Sequence, residues 1–134
     1  MANFITDLVN AAVVSPLFNA QSIAATTNGT GADYQAASVR NHEFAICQAG
    51  ANAGTYVVQI QESNLVGSGY TDIVGATVTF VTGDANTVKI IPFYRVKRYI
   101  RATLTLTSAG AGLFAVVAVS QKQRTGAPAD GTAP

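Results

Sequence analysis

The sequence predicts an all-β fold built from antiparallel sheets, closed as a sandwich or a barrel. Three observations lead there. From Tyr34 onward the chain is a succession of short runs rich in Val, Ile, Thr, Tyr and Phe, the residues that suit a pleated, half-buried surface. Gly, Asn, Asp and Ser separate these runs at intervals of roughly ten residues, the spacing of sandwiches and barrels. Within the runs apolar and polar residues alternate, as they do in strands with one face on a core. At 134 residues the chain is long enough for one domain with a real core.

The elements follow in order. Residues 1–30 differ from the rest and read as an N-terminal arm and loop. Phe4, Ile5, Leu8, Val9, Ala12 and Val13 have the spacing of one or two turns of amphipathic helix. Pro16 then forces Ser15 into an extended or turn conformation. Asn28-Gly29 closes the segment with a turn signal. Such an arm packs on a neighbouring subunit, or it is simply a first strand and loop of the same domain. Residues 31–124 read as the β-sandwich domain. Its predicted strands are Tyr34–Val39, Glu43–Gln48, Thr55–Glu62, Asp72–Val74, Ala76–Thr82, Val88–Tyr94, Arg98–Thr107 and Leu113–Ser120. The turns between them are "GANAG", "NLVGSG", "TGDAN" and "SAGAG", whose glycines allow positive φ. Tyr56, Val58, Ile60 and Glu62 share one face of their strand. Ile100, Ala102, Leu104 and Leu106 share one face of theirs. Leu113–Val119 is apolar on both faces, which places it centrally or beneath a partner. Residues 125–134, Gly, Ala, Pro and Thr for the most part, cannot bury enough apolar surface to offset their ordering entropy and read as a flexible tail.

Charged residues make up only 11% of the chain, against roughly 25% in an average soluble domain. A surface so poor in charge suits one that other protein covers. The net charge of +1 supplies no overall field for a polyanion, but the distribution is uneven. Residues 1–84 hold six acids against Arg40, and residues 85–134 hold seven bases against Asp130. The two halves can neutralise one another within the fold or across subunits. Cys47 is the single cysteine, so no internal disulfide is possible, and its apolar run predicts a buried, inert thiol. The N-terminus lacks the basic start of a signal peptide. No stretch reaches the about 18 apolar residues of a membrane-spanning helix. Synthesis in a cytosol is the expectation.

No grouping of residues points to catalysis. His42 is the only histidine, and an odd separation in one strand sets it opposite Cys47. Glu43, Glu62, Asp72 and Asp84 stand apart, each near a turn or strand end. Neither a metal site nor a phosphate loop is expected, and no cofactor. The exception to this blandness is "PFYRVKRYIRATLTLT", Pro92 to Thr107, with Arg95, Lys97, Arg98 and Arg101 beside Tyr94 and Tyr99. Such a run can grip nucleic acid, dock a protein, or pair with acids of its own fold. Strict alternation places Arg95, Lys97, Tyr99 and Arg101 on one face and Tyr94, Val96 and Arg98 on the other, unless a turn near Val96–Lys97 breaks the register. Glu62 and Asp72 are possible partners for Arg95 and Arg98.

Three segments carry a resemblance to a known family. They are "GTYVVQIQESNLVGSGYTDI", "VKIIPFYRVKRYIRATLTLTSAG" and "LFAVVAVSQKQR". A strand ending in Glu62-Ser63, a Gly-rich turn before Tyr70-Thr71-Asp72, the run Lys97-Arg98-Tyr99-Ile100-Arg101 and a last apolar strand with a basic end resemble the head decoration, or cement, proteins of tailed bacteriophages. The resemblance covers about Thr55 to Arg124, and the first thirty residues have no counterpart in it. It implies a β-sandwich of jelly-roll type and no catalysis. It also implies a symmetric homodimer or homotrimer on the capsid exterior, with the major capsid protein and sister copies as partners. Phe4, Ile5, Leu8, Val9, Arg95, Lys97, Arg98, Tyr99 and Arg101 are then the candidate capsid or subunit interface. Membrane and nucleic acid are not expected partners. A small RNA-phage coat protein with a basic sheet face is the alternative, but such proteins end in interlocking helices. A secreted carbohydrate-binding or adhesion sandwich is a further one, against which the absent signal peptide and absent Trp count.

Overall fold

The structure, a computed structural model, describes residues 12–34, 38–108 and 110–122, with side chains for residues 14–34, 43–108 and 110–120. It is an antiparallel β-sandwich. The strands are β1 (Ala12–Ile23), β2 (Thr27–Asn28), β3 (Ala32–Asp33), β4 (Ser38–Asn52), β5 (Thr55–Ser63), β6 (Thr71–Phe80), β7 (Val88–Phe93), β8 (Tyr99–Ser108) and β9 (Gly112–Lys122). One sheet has the order β1-β9-β4-β7. The other has the order β2-β8-β5-β6, with β3 also on β8.

Alternation sets the core. Tyr56, Val58 and Ile60 of β5 and Ile100, Ala102 and Leu104 of β8 point inward and are buried. They meet Ala45, Cys47 and Ala49 of β4 and Phe114, Val116 and Ala118 of β9. Phe114 lies edge-on to Tyr56 and Phe80, with ring centroids 4.8 and 5.4 Å away. The Tyr56 hydroxyl proton is shared between the Gly110 and Ile23 carbonyls at 2.6 and 3.0 Å, so this polar tip is satisfied at the core's edge. Cys47 is fully buried, and burial pushes its thiol up to about 12, which removes the reactive thiolate.

Several boundaries differ from the sequence reading. Residues 12–23, expected within an N-terminal arm and partly helical, form edge strand β1, and Leu17, Phe18 and Ile23 enter the core. Burial against β9 outweighs the weak helical spacing of a short segment. Residues 1–11 and everything from 123 on, the expected tail of residues 125–134 included, lie outside the described residues. Residues 38–39 and 43–48, expected in two separate strands, lie in one, β4, whose register against β9 shifts between Val39 and Phe44. The "GANAG" turn shrinks because β4 runs on to Asn52. Asp72–Val74 and Ala76–Thr82 likewise join as β6. Their junction is a bulge at Gly75, whose φ of 81° is a conformation glycine adopts freely. The bulge sits where β6 loses register with β5 between Gln59 and Gln61. Gln59 Nε2 donates to the Ile73 and Ile60 carbonyls there, and Val74 stands almost fully exposed at its crest.

Candidate functional site

Pro92 to Thr107 is not one strand. β7 ends at Phe93, a turn occupies residues 94–98, and β8 begins at Tyr99. Glu62, at the end of β5, holds that turn. Its Oε1 accepts from the Val96 and Lys97 N–H groups at 2.8 and 3.2 Å. The turn breaks the simple alternation and sends each cation a different way.

Arg95 turns inward and is 1% exposed. Its Nε donates to Glu43 Oε2 at 2.9 Å and its Nη1 to the Lys97 carbonyl at 3.1 Å. The guanidinium lies over the Tyr34 ring, 4.9 Å from its centroid. Arg98 turns outward and grips Asp33 of β3 with two hydrogen bonds of 2.9 Å, which raise its pKa further. It also lies over Tyr99, 5.0 Å from the ring centroid. Glu43 and Asp33 are therefore the acids that Arg95 and Arg98 meet, and not Glu62 or Asp72, the candidates the sequence offered. Glu62 serves the turn's backbone instead, and Asp72 accepts from Gln61 Nε2 at 2.8 Å. Arg101 Nε donates to Gln61 Oε1 at 2.9 Å, and its guanidinium stacks over Tyr70 at 4.2 Å. Lys97 reaches the Thr71 hydroxyl at 3.4 Å. The structure thus brings Lys97, Arg98, Tyr99 and Arg101 to one end of the five-stranded sheet and withdraws Arg95 into the interior. Phe4, Ile5, Leu8 and Val9 lie outside the described residues.

Two further loops complete this end. The loop at residues 64–70 is braced by Ser63, whose Oγ accepts from the Leu65 N–H and donates to the Ser68 carbonyl. Tyr70 donates to the Val66 carbonyl at 2.8 Å. Gly31 packs from the third loop; a Cβ there would lie 1.9 Å from the Tyr70 hydroxyl oxygen. On this frame Leu65, Val66, Tyr94 and Val96 are 61, 57, 60 and 57% exposed. Four large apolar side chains thus protrude from a hydrogen-bonded frame, among Lys97, Arg98 and Arg101. Of the four, only Tyr94 stood out in the sequence, because isolated valines and leucines in a turn carry no signal there.

A second surface is the outer face of the four-stranded sheet. Its rows cross β7, β4, β9 and β1. The first is Pro92, Phe44, Val119 and Val14; the second is Ile90, Ile46, Val117 and Pro16. The third is Val88, Gln48 and Ala115. Beyond it Leu113 lies over Gly50 beside a shallow depression of about 220 Å³ that Ala20 also lines. Among the described side chains this face carries no charge. Lys89, the cation of β7, reaches Asp84 at 3.1 Å and the Phe80 ring at 5.0 Å instead.

Among the described residues no group of three or more His, Cys, Asp or Glu side chains could hold a metal ion. No family model matches the chain, and no curated protein matches it. Solved structures resemble it to differing degrees. The PBSX exported protein XepA superposes with a TM-score of 0.60 at 17% identity, over 84% of this chain. The chain spans 38% of the length of that protein. Infectious bursal disease virus, Gx strain, overlaps more loosely, with a TM-score of 0.44 at 9% identity over 82% of this chain and 31% of its own. A Bacillus endospore appendage pilus protein gives 0.38 at 15% identity, over 85% of this chain and 90% of its own.

Proposed function

We propose that this chain is a structural virion protein that coats the outside of a tailed-phage capsid as a symmetric oligomer and stabilises it by bridging capsomers. The observation that carries this reading is the braced end of the sandwich. Leu65, Val66, Tyr94 and Val96 protrude from it beside basic residues, and side-chain-to-backbone hydrogen bonds hold its loops. A preorganised apolar cluster suits docking on another protein, because little ordering entropy remains to be lost on contact. At its rim Lys97 and Arg101 select an acidic surround on the capsid. The N-terminal segment with Phe4, Ile5, Leu8 and Val9 adds a second capsid contact. Each contact is weak alone, and linkage through the oligomer multiplies their effect.

The sheet orders support the jelly-roll part of the reading. Counting β2 and β3 as one interrupted strand, the pairs are β1 with β9, β2/β3 with β8, β4 with β7 and β5 with β6. A long hairpin with its tip between β5 and β6, rolled into two sheets, makes those pairs and is the route of a jelly roll. The RNA-binding alternative is the weaker fit, because Arg95 and Arg98 already hold Glu43 and Asp33.

Cosedimentation with expanded and unexpanded capsids tests the proposal. The wild type is expected to pellet with expanded capsids. A Leu65→Ser/Val66→Ser/Val96→Ser variant, changed only at exposed positions, should bind at least about 10-fold more weakly. Failure of the wild type to pellet, or equal binding by the variant, overturns it.

A further inference from the structure

We infer that the uncharged outer face of the four-stranded sheet is a homodimer interface, in which two copies stack sheet against sheet about a twofold axis. This deepens the oligomer part of the function proposed above and stands apart from its capsid part. Four observations carry it.

The first is chemical. The three rows from Pro92–Val14 to Val88–Ala115 present Val, Ile, Phe, Pro and Ala, with Gln48 as the sole long polar side chain. A twofold interface sets a patch against itself. Any charge near the axis would then meet its own copy, and this patch has none among the described side chains. A face shaped for a charged partner would instead carry complementary groups.

The second is placement. The fold's described cations are spent elsewhere. Lys89 turns off this face to Asp84, Arg95 is buried against Glu43, and Arg98 and Arg101 sit on the other sheet. Ile90, Val88 and Val14 remain 58, 56 and 63% exposed.

The third is the edges. β1 and β7, the two edge strands of this sheet, each contain a proline, Pro16 and Pro92. Proline interrupts the row of edge donors and blocks strand-to-strand extension. Self-association through this sheet therefore has the face open to it and not the edges.

The fourth is size. Four strands about 4.8 Å apart, over seven residues of about 3.4 Å rise, give a footprint of about 450 Å². Two such faces, with the relief of their side chains, bury about 1,000 Å², where specific interfaces begin. A flat sheet has one partner face, so the product is a dimer and not a trimer. An apolar patch of this size is the kind that, on a monomer, often serves a function.

Sedimentation equilibrium of the purified full chain, without capsids, tests the inference. The wild type should sediment at twice the 13.8 kDa of one chain. Val117→Lys, in the middle row of central strand β9, should weaken dimerisation at least about 100-fold, because two lysines meet near the axis. Ile90→Lys, at an exposed position that leaves the core untouched, should weaken it too while circular dichroism stays that of a β fold. Val74→Lys, on the far sheet's bulge, should leave the dimer intact, and so should deletion of residues 1–11. A monomeric wild type, an unaffected Ile90→Lys dimer, or dissociation caused by the deletion overturns the inference. Capsid binding is a separate measurement, so its failure leaves this result standing.

Discussion

At the scale of single residues, four cations within seven positions meet different fates, decided by reach and burial. Arg95 and Glu43 form an ion pair shielded from water, with side chains 1 and 0% exposed. The planar guanidinium suits that place, because it satisfies several acceptors at once and rests on the Tyr34 ring. Removing either partner strands a buried charge. Arg95→Ala should therefore lower unfolding stability by about 3–5 kcal/mol, read from urea denaturation. Arg98→Ala removes a half-exposed pair with Asp33 and should cost far less, since water and salt screen it. Equal losses in the two variants would contradict the assignment of Arg95 to the interior.

At the scale of elements, the irregular parts of the fold have identifiable causes. The β6 bulge depends on Gly75, and the β7–β8 turn depends on Glu62. The β6–β7 turn depends on Asp84, whose Oδ2 accepts from the Val81 N–H at 3.0 Å and from Lys89 at 3.1 Å. The Val81 hydrogen bond, and after it Lys89, holds this carboxyl below its ordinary 3.8. Because the folded value is the lower one, the stabilisation is complete above the unfolded pKa near 4. It is lost as pH falls through the folded value. Asp84→Asn should thus narrow its stability gap to the wild type as urea midpoints are followed from pH 6 to pH 2. A gap that stays constant would show that the turn does not depend on the ionised carboxylate.

At the scale of the whole molecule, the sandwich separates two kinds of surface. One end of the five-stranded sheet presents protruding apolar side chains with a basic rim. The outer face of the four-stranded sheet is broad, and uncharged among its described side chains. In the arrangement proposed, the first meets a capsid and the second meets a sister copy, so a dimer offers two capsid-binding ends. Dimerisation couples to stability by mass action. The melting temperature of the wild type should rise as protein concentration is raised, and that of Val117→Lys should stay constant. A wild-type melting temperature independent of concentration would count against a dimer that stabilises the fold.

Whatever depends on neighbours along the chain was legible in the sequence. A period of two is a local property. It sorted Tyr56, Val58, Ile60 and Glu62 to the inward face of β5 and Ile100, Ala102 and Leu104 to that of β8. It also marked Leu113–Val119 as apolar on both sides, and β9 indeed lies between β1 and β4. Turn residues marked most strand ends, but missed those where a strand absorbs a bulge and continues, as at Gly75, because burial on the sheet overrides the local signal. Which charges meet is a matter of the folded arrangement. Arg95 finds Glu43 across 52 positions and Arg98 finds Asp33 across 65, distances over which composition specifies neutrality but not partners. The uncharged face is likewise written in four separate segments. Each reads alone as an ordinary strand, and the sheet order β1-β9-β4-β7 turns them into one surface.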